Sequence, residues 1–256
     1  MAPFGASRAG LMSVTRDDIP DSAIYHYPFP DRSDDTLVEQ LQGENGTAVG
    51  LTNTSGDWWE GFAEAGDGTD DYGDLTTLPL FSDPLVSDHT TDFWVAMTVK
   101  TTVDSGDLTG ARHSASNDGH TSWFRFGVGV ATDDGKPILL LRGADGDDVD
   151  EDIRVAADQT VNDGNKHRIV LNKIGNDGND WEWYIDGSSV STIIERNDGI
   201  DDFGDWTRDF YTHAYNDRGS DANHFDGTID NIFFGEPGNT LSSQEVTDDY
   251  NAQPWT

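Results

Sequence analysis

The sequence has 256 residues, 49 acidic side chains against 15 basic ones, a formal net charge of −34 and no cysteine. Without cysteine there are no disulfides, thiolate metal sites or thiol nucleophiles. Without a basic stripe to neutralise phosphates, nucleic acid is excluded as a partner, and an anionic membrane surface with it.

The length suits one large β-sandwich with a core big enough to need no staples. No run approaches the ~18 apolar residues of a membrane span, so no membrane insertion is expected. The acids are 40 Asp and 9 Glu, and the bases are 11 Arg and 4 Lys. Such a surface repels itself in dilute buffer. At about 1 M salt the screening length falls to roughly 3 Å and most of that repulsion is removed. Aromatic residues make up 11% of the chain and gather in strand-like runs, which argues against disorder.

In chain order, residues 1–22 read as an N-terminal arm. Arg8 and Arg16 are the charges of its first sixteen residues, a +2 segment on a body of −36, suited equally to locking onto another acidic protein surface and to fraying as a terminus. Residues 23–256 read as one domain. A first strand is predicted over Ala23–Phe29 and a second over Thr91–Thr102. Trp123–Val130 alternates strictly, which places Phe124, Phe126, Val128 and Val130 on the core face. His167–Ile174 and Trp181–Asp186 form the next pair, joined by the turn-rich 176–180. Asp186-Gly187 opens a tight turn into a strand over Ser189–Ile194. Phe210–Tyr215 and Gly227–Phe234 complete the strands. Asp/Gly/Asn clusters between these runs supply turns. Ser242-Ser-Gln-Glu245 fits a capping box, and Leu241 with Val246 a hydrophobic staple, so one short helix is predicted over 243–250.

Taken in order, several of these pieces resemble the laminin-G-like, concanavalin A-like jelly-roll superfamily. They are Thr91–Lys100 as an early central strand, Asn165–Asn172 followed by the Trp183-Tyr-Ile-Asp-Gly187 hairpin, and Gly227-Thr-Ile-Asp-Asn-Ile232 followed by Leu241–Val246. Lys166 stands where that family usually has Trp. The resemblance implies an all-β antiparallel sandwich of two sheets, six or seven strands each, with one short C-terminal helix. It also implies a surface role in binding sugars or proteins, and often one structural calcium. By this resemblance Asp230 is the first candidate ligand for Ca²⁺ and Asp226 the second.

The sequence offers little catalysis. Retaining and inverting glycosidases hold two carboxyls about 5–5.5 Å or 6.5–9.5 Å apart. The nearest pattern, Glu182-Trp-Tyr-Ile-Asp186, separates its acids by about 13 Å along a strand. There is no Gly-x-Ser-x-Gly elbow and no His-Glu-x-x-His pattern. For sugar binding the usual tool is an exposed aromatic platform with polar neighbours. The candidates are Trp58, Trp59, Trp206, Tyr211 and Tyr215, although for each of them a place in the core is the favoured reading, since a sandwich this size needs several aromatic residues inside.

The Asp-rich, Lys-poor composition resembles proteins of extremely halophilic archaea and their viruses. The first ten residues form no signal peptide. The expected function is therefore a non-enzymatic virion surface protein of a haloarchaeal virus, in capsid or tail. It would assemble in the host cytoplasm with itself and other virion proteins and touch host glycans. A cellular, extracellular carbohydrate-binding module is the alternative, and a glycoside hydrolase a further one. Transfer to about 10 mM salt, where the screening length reaches roughly 30 Å, is expected to abolish the near-ultraviolet circular dichroism of the isolated chain; retained signal contradicts this reading of the charge.

Overall fold

The computed structural model describes residues 20–43, 45–59, 61–75, 90–114, 121–130, 134–143, 152–200, 209–217 and 220–255. In chain order the strands are β1 (Ala23–Tyr27), β2 (Thr36–Leu37), β3 (Gly46–Val49), β4 (Thr52–Ser55), β5 (Phe62–Asp67), β6 (Tyr72–Asp74), β7 (Phe93–Lys100), β8 (Gly106–Ser114), β9 (Thr121–Val128), β10 (Pro137–Arg142), β11 (Asp152–Ala157), β12 (Lys166–Lys173), β13 (Glu182–Ile185), β14 (Ser188–Val190), β15 (Thr192–Asn197), β16 (Tyr211–Thr212), β17 (Tyr215–Asp217), β18 (Ser220–Ala222) and β19 (Asp226–Gly235). The helix α1 spans Ser243–Asn251.

Two sheets form from these strands. The first has eight strands in the order β14-β13-β12-β7-β19-β5-β4, with β1 paired to β19. The second has eleven, in the order β15-β11-β10-β9-β8-β16-β6-β3-β2, with β17 joining β8 and β18 joining β17. The pairings are antiparallel except β17 with β8. The chain is thus the all-β sandwich with one C-terminal helix that its patterning predicts, with more and shorter strands than expected.

The core lies between the sheets because each presents one apolar face to the other. Phe124, Phe126 and Val128 of β9 enter it, as do Val95, Met97 and Val99 of β7 and Ile169 and Leu171 of β12. Trp183 of β13 stacks on Phe126 across the gap, with ring centroids 5.6 Å apart. Val130 departs from the predicted alternation. Gly129 turns the chain at φ 56, and Val130 packs instead with Ile138 and Ala156 in a separate cluster.

The strand predicted over 189–194 divides at Ser191. β14 closes a two-residue hairpin with β13, with Ile185 opposite Ser188, while β15 crosses to the second sheet and pairs with β11. Asp186 and Gly187 form that turn at φ 52 and φ 73. A Cβ at Gly187 would come within 3.0 Å of Tyr250, so the same glycine admits α1. Phe210–Tyr215 is likewise cut in two, at His213 with φ 60. Ser22, at the end of the expected arm, is tied to the sandwich: its carbonyl accepts from Glu236 N and its hydroxyl from Trp94 Nε1. Arg8 and Arg16 lie outside the described residues.

The capping box on α1 is present. Ser242 Oγ accepts from Glu245 N, and the Glu245 carboxylate accepts from Ser242 N. Leu241 and Val246 join Trp94, Ala96, Val170, Tyr184 and Phe233 on the outer face of the first sheet. The helix is also held by an ion pair. Arg168 of β12 donates through Nε and Nη2 to both carboxylate oxygens of Asp249, at 2.7 and 2.9 Å, with both side chains out of water. Asp249→Ala leaves that guanidinium buried and unpaired, and is expected to cost about 3–5 kcal/mol in urea unfolding. Adding Arg168→Met should restore most of the loss.

Candidate functional site

Period-two alternation along β9 sends Phe124 and Phe126 inward, so Trp123 and Arg125 must point outward from the second sheet. Register decides what stands beside them. Trp123 faces Arg112 on β8 and Arg142 on β10. Their guanidinium carbons lie 4.6 and 5.0 Å from the Trp123 ring centroid, so a cation flanks the indole from each neighbouring strand. The adjacent row runs Tyr211, Gly110, Arg125, Leu140, Arg154 and Arg196 across β16, β8, β9, β10, β11 and β15. Five of the chain's 11 arginines thus share one face of one sheet.

Each position in this row has a physical cause. Arg125 forms a two-pronged bond with Asp107, at 3.0 and 2.7 Å, and covers the Tyr215 ring at 4.5 Å. Burial pushes the Asp107 carboxyl up and the Arg125 charge pulls it back. Gly110 makes room for Tyr215: a Cβ there would meet Tyr215 Cβ at 3.2 Å and Phe124 O at 2.5 Å. Tyr211 stacks on Tyr72 with centroids 4.4 Å apart. Burial, then the charges of Tyr72 and nearby acids, pushes the Tyr211 hydroxyl up to about 12. Arg112 pairs with Asp217, and Arg154 and Arg196 share Asp152. Beside Arg125 opens a cleft of ≈ 580 Å³, bounded also by Gly68, Asn223 and His224. The result is a platform of planar rings and guanidinium forks, able to stack on a sugar ring and donate to its oxygens.

The candidate aromatic residues divide between the two sheets. Tyr211 and Tyr215 belong to this face, but each is only 8% exposed and serves as its floor. Trp58, 5% exposed, and Trp59 sit on the other sheet. Trp58 is covered by Lys166, whose Nζ lies 4.1 Å from its ring, and packs edge-on against Trp255. The rings of Tyr211, Tyr215 and Trp58 are buried, the place favoured for them over an exposed platform. Trp206 lies outside the described residues. Trp123 and Tyr72, half-buried, are the rings the sequence reading missed.

Asp230, the first candidate for calcium, lies in the interior. This side chain is fully buried under the 56–61 turn, where Oδ2 accepts from Trp59 N at 2.8 Å. The charges facing it are those of Arg168 and Lys166, and burial still pushes its carboxyl up to about 8. A calcium ion takes six to eight oxygens, whereas the groups facing Asp230 are the Trp59 amide and the cations Arg168 and Lys166. Asp226 is exposed and stands opposite Asp67. Among the described residues, three carboxylates converge at Asp67, Asp70 and Asp71, with ligand atoms within 4.8 Å of one another. Glu182 and Asp186, the acids nearest a glycosidase pattern, have structural partners. Glu182 accepts from Asn172 and Tyr184; Asp186 accepts from Arg168 N and bonds His167 Nδ1.

Two stacked antiparallel sheets with one apolar face each define the class as the antiparallel β-sandwich. No protein-family model and no curated protein matches the sequence. Among solved structures, the chain is similar to domain 4 of AbnA, a GH43 extracellular arabinanase from Geobacillus stearothermophilus solved with arabinotriose. The TM-score is 0.57 at 19% identity, over 90% of this chain and 98% of that one. It is similar to the binding domain of Paraclostridial Mosquitocidal Protein 1, with TM-score 0.57 at 14% identity, over 91% and 52%. It also resembles the CBM40 of a Ruminococcus gnavus sialidase bound to α2,3-sialyllactose, with TM-score 0.50 at 15% identity, over 78% and 96%. The chain spans about half of the mosquitocidal binding domain and about a third of a similar Trypanosoma rangeli sialidase. At these identities the likeness establishes the fold.

Asp230 gives a pH signature with a definite sign. Its folded value, about 8, lies above its ordinary 3.8, so between those values the fold holds a proton that the unfolded chain has released. Stability on its account is greatest below about pH 4 and falls as pH rises towards 8. His26 and His213, lowered to about 3 by burial, act below pH 6.5 with the opposite sign. Between pH 6.5 and 8, Asp230→Asn is expected to flatten the pH dependence of urea unfolding by about 1.4 kcal/mol per pH unit. An unchanged slope rules out a protonated Asp230.

Proposed function

We propose that this chain is a glycan-binding module whose docking surface is the outer face of the second sheet, centred on Trp123 and Arg125. The observation that carries this reading is the fold match across nearly the whole of an arabinanase domain solved with an oligosaccharide. The cation-flanked indole and the Tyr72–Tyr211 stack support it. With Arg112 and Arg142 over its faces, the half-buried Trp123 offers a pyranose its exposed edge, and the flanking guanidinium groups offer donors to the sugar hydroxyls.

The setting we propose is the surface of a virus particle in a saline host, in repeated copies. The acidic composition and the cationic leading segment with Arg8 and Arg16 favour it. Mass spectrometry of purified virions is expected to find the chain in stoichiometric amount, and its absence from them rejects the setting without touching the glycan reading. For that reading, a glycan array in molar salt should return specific binding. Trp123→Ala should weaken it at least about tenfold, or ~1.4 kcal/mol, with the circular dichroism unchanged. An array with no binder, or a Trp123→Ala chain that binds as before, overturns it.

A further inference from the structure

The few basic side chains of this acidic protein are almost all engaged. Arg32 pairs with Glu64, Arg112 with Asp217, Arg125 with Asp107, Arg168 with Asp249, and Lys136 with Asp134 and Asp158. Lys100 is the exception. It alone among the described basic residues makes no ion pair, side-chain hydrogen bond or ring contact with another described residue. It is exposed at the end of β7. Directly opposite it on β12 stands Lys166, and on its other side, on β19, Thr228.

This placement is costly without a ligand. Like charges directly opposite on a sheet destabilise it, and these are two of only four lysines in a chain with 49 acids. Burial lowers the Lys166 pKa, the Asp57 and Asp230 charges raise it, and the Lys100 charge, the smallest of these effects, lowers it again. Lys166 is also fixed in place. Its Nζ donates to Asp57 O and lies over the rings of Trp58 and Trp255, at 4.1 and 5.1 Å. Both lysines line a cleft of ≈ 530 Å³, with Trp58, Thr228 and Asp226 among its walls.

We propose that this cleft binds an anionic sugar residue, its carboxylate or sulfate held between Lys100 and Lys166. An anion there turns a like-charge repulsion into two charge-assisted hydrogen bonds. Thr228 and the acceptor-only carboxylates of Asp226 and Asp57 suit sugar hydroxyls. The volume exceeds that of a bare inorganic anion and matches a ring with substituents. The site lies on the first sheet, away from Trp123, and does not rest on the reading of the second sheet.

The test is calorimetric titration of the full chain at the lowest salt that preserves its circular dichroism. The probes are trigalacturonate for the carboxylate, neocarratetraose sulfate for the sulfate, and neutral galactotriose. At least one anionic probe is expected to bind about tenfold or more tighter than galactotriose, the effect of one charge-assisted bond. Lys100→Gln, an exposed substitution, should remove that preference, and Lys166→Gln should weaken it, while Trp123→Ala leaves it intact. Equal binding of all three probes overturns the proposal, as does a preference that survives Lys100→Gln.

Discussion

The arginine–carboxylate pair is the interaction on which this structure depends. Removing a charge from water costs several kcal/mol unless a partner and further hydrogen bonds replace the solvent. The fold buries Glu64, Asp107, Asp152 and Asp249, and each faces an arginine in fork geometry: Arg32, Arg125, Arg154 and Arg168. Glu39 is held instead by backbone donors, from His26, Leu41, Gln42 and Gly43. Asp230 has the Trp59 amide and a raised pKa. With so few bases available, the buried acids settle where most of the cations must stand.

That constraint shapes both outer faces. On the first sheet, Arg168 reaches Asp249, the Asn231 carbonyl and the face of Phe233 together, so one guanidinium joins β12, β19 and α1. On the second sheet the arginines line up in register, and the aromatic rings beneath them gain cation–π contacts that a lysine, with its compact hydrated charge, would supply less well. Lysine occurs four times in the sequence. Where two of them stand opposite each other on β7 and β12, Asp57 and Asp230 offset part of the charge on Lys166, and Lys100 keeps its own exposed.

Local patterning made much of this legible. The capping box and staple of α1 and the Asp186-Gly187 turn depend on neighbours a few residues away, and the sequence displays them. The alternation of β9 assigns Phe124 and Phe126 inward and, by the same count, Trp123 and Arg125 outward. The sequence holds no sign that Arg112 and Arg142 flank Trp123, because that follows from register between strands rather than from spacing along one. The burial of Asp230 was hidden for a related reason. A strand aspartate looks the same whether it faces solvent or the underside of a loop 171 residues away in sequence.

The sequence alone determined the class of fold and the character of the surface, since period-two hydrophobicity, turn chemistry and charge count are properties of the chain itself. It also determined that cations would be scarce. Only the tertiary structure decided which aromatic rings form a floor and which reach the surface, where the 189–194 run breaks between sheets, and which lysine is left without an ion pair among the described residues. Those outcomes depend on the pairing of distant strands, and burial and partnership are set by what lies across a sheet rather than beside it in the chain.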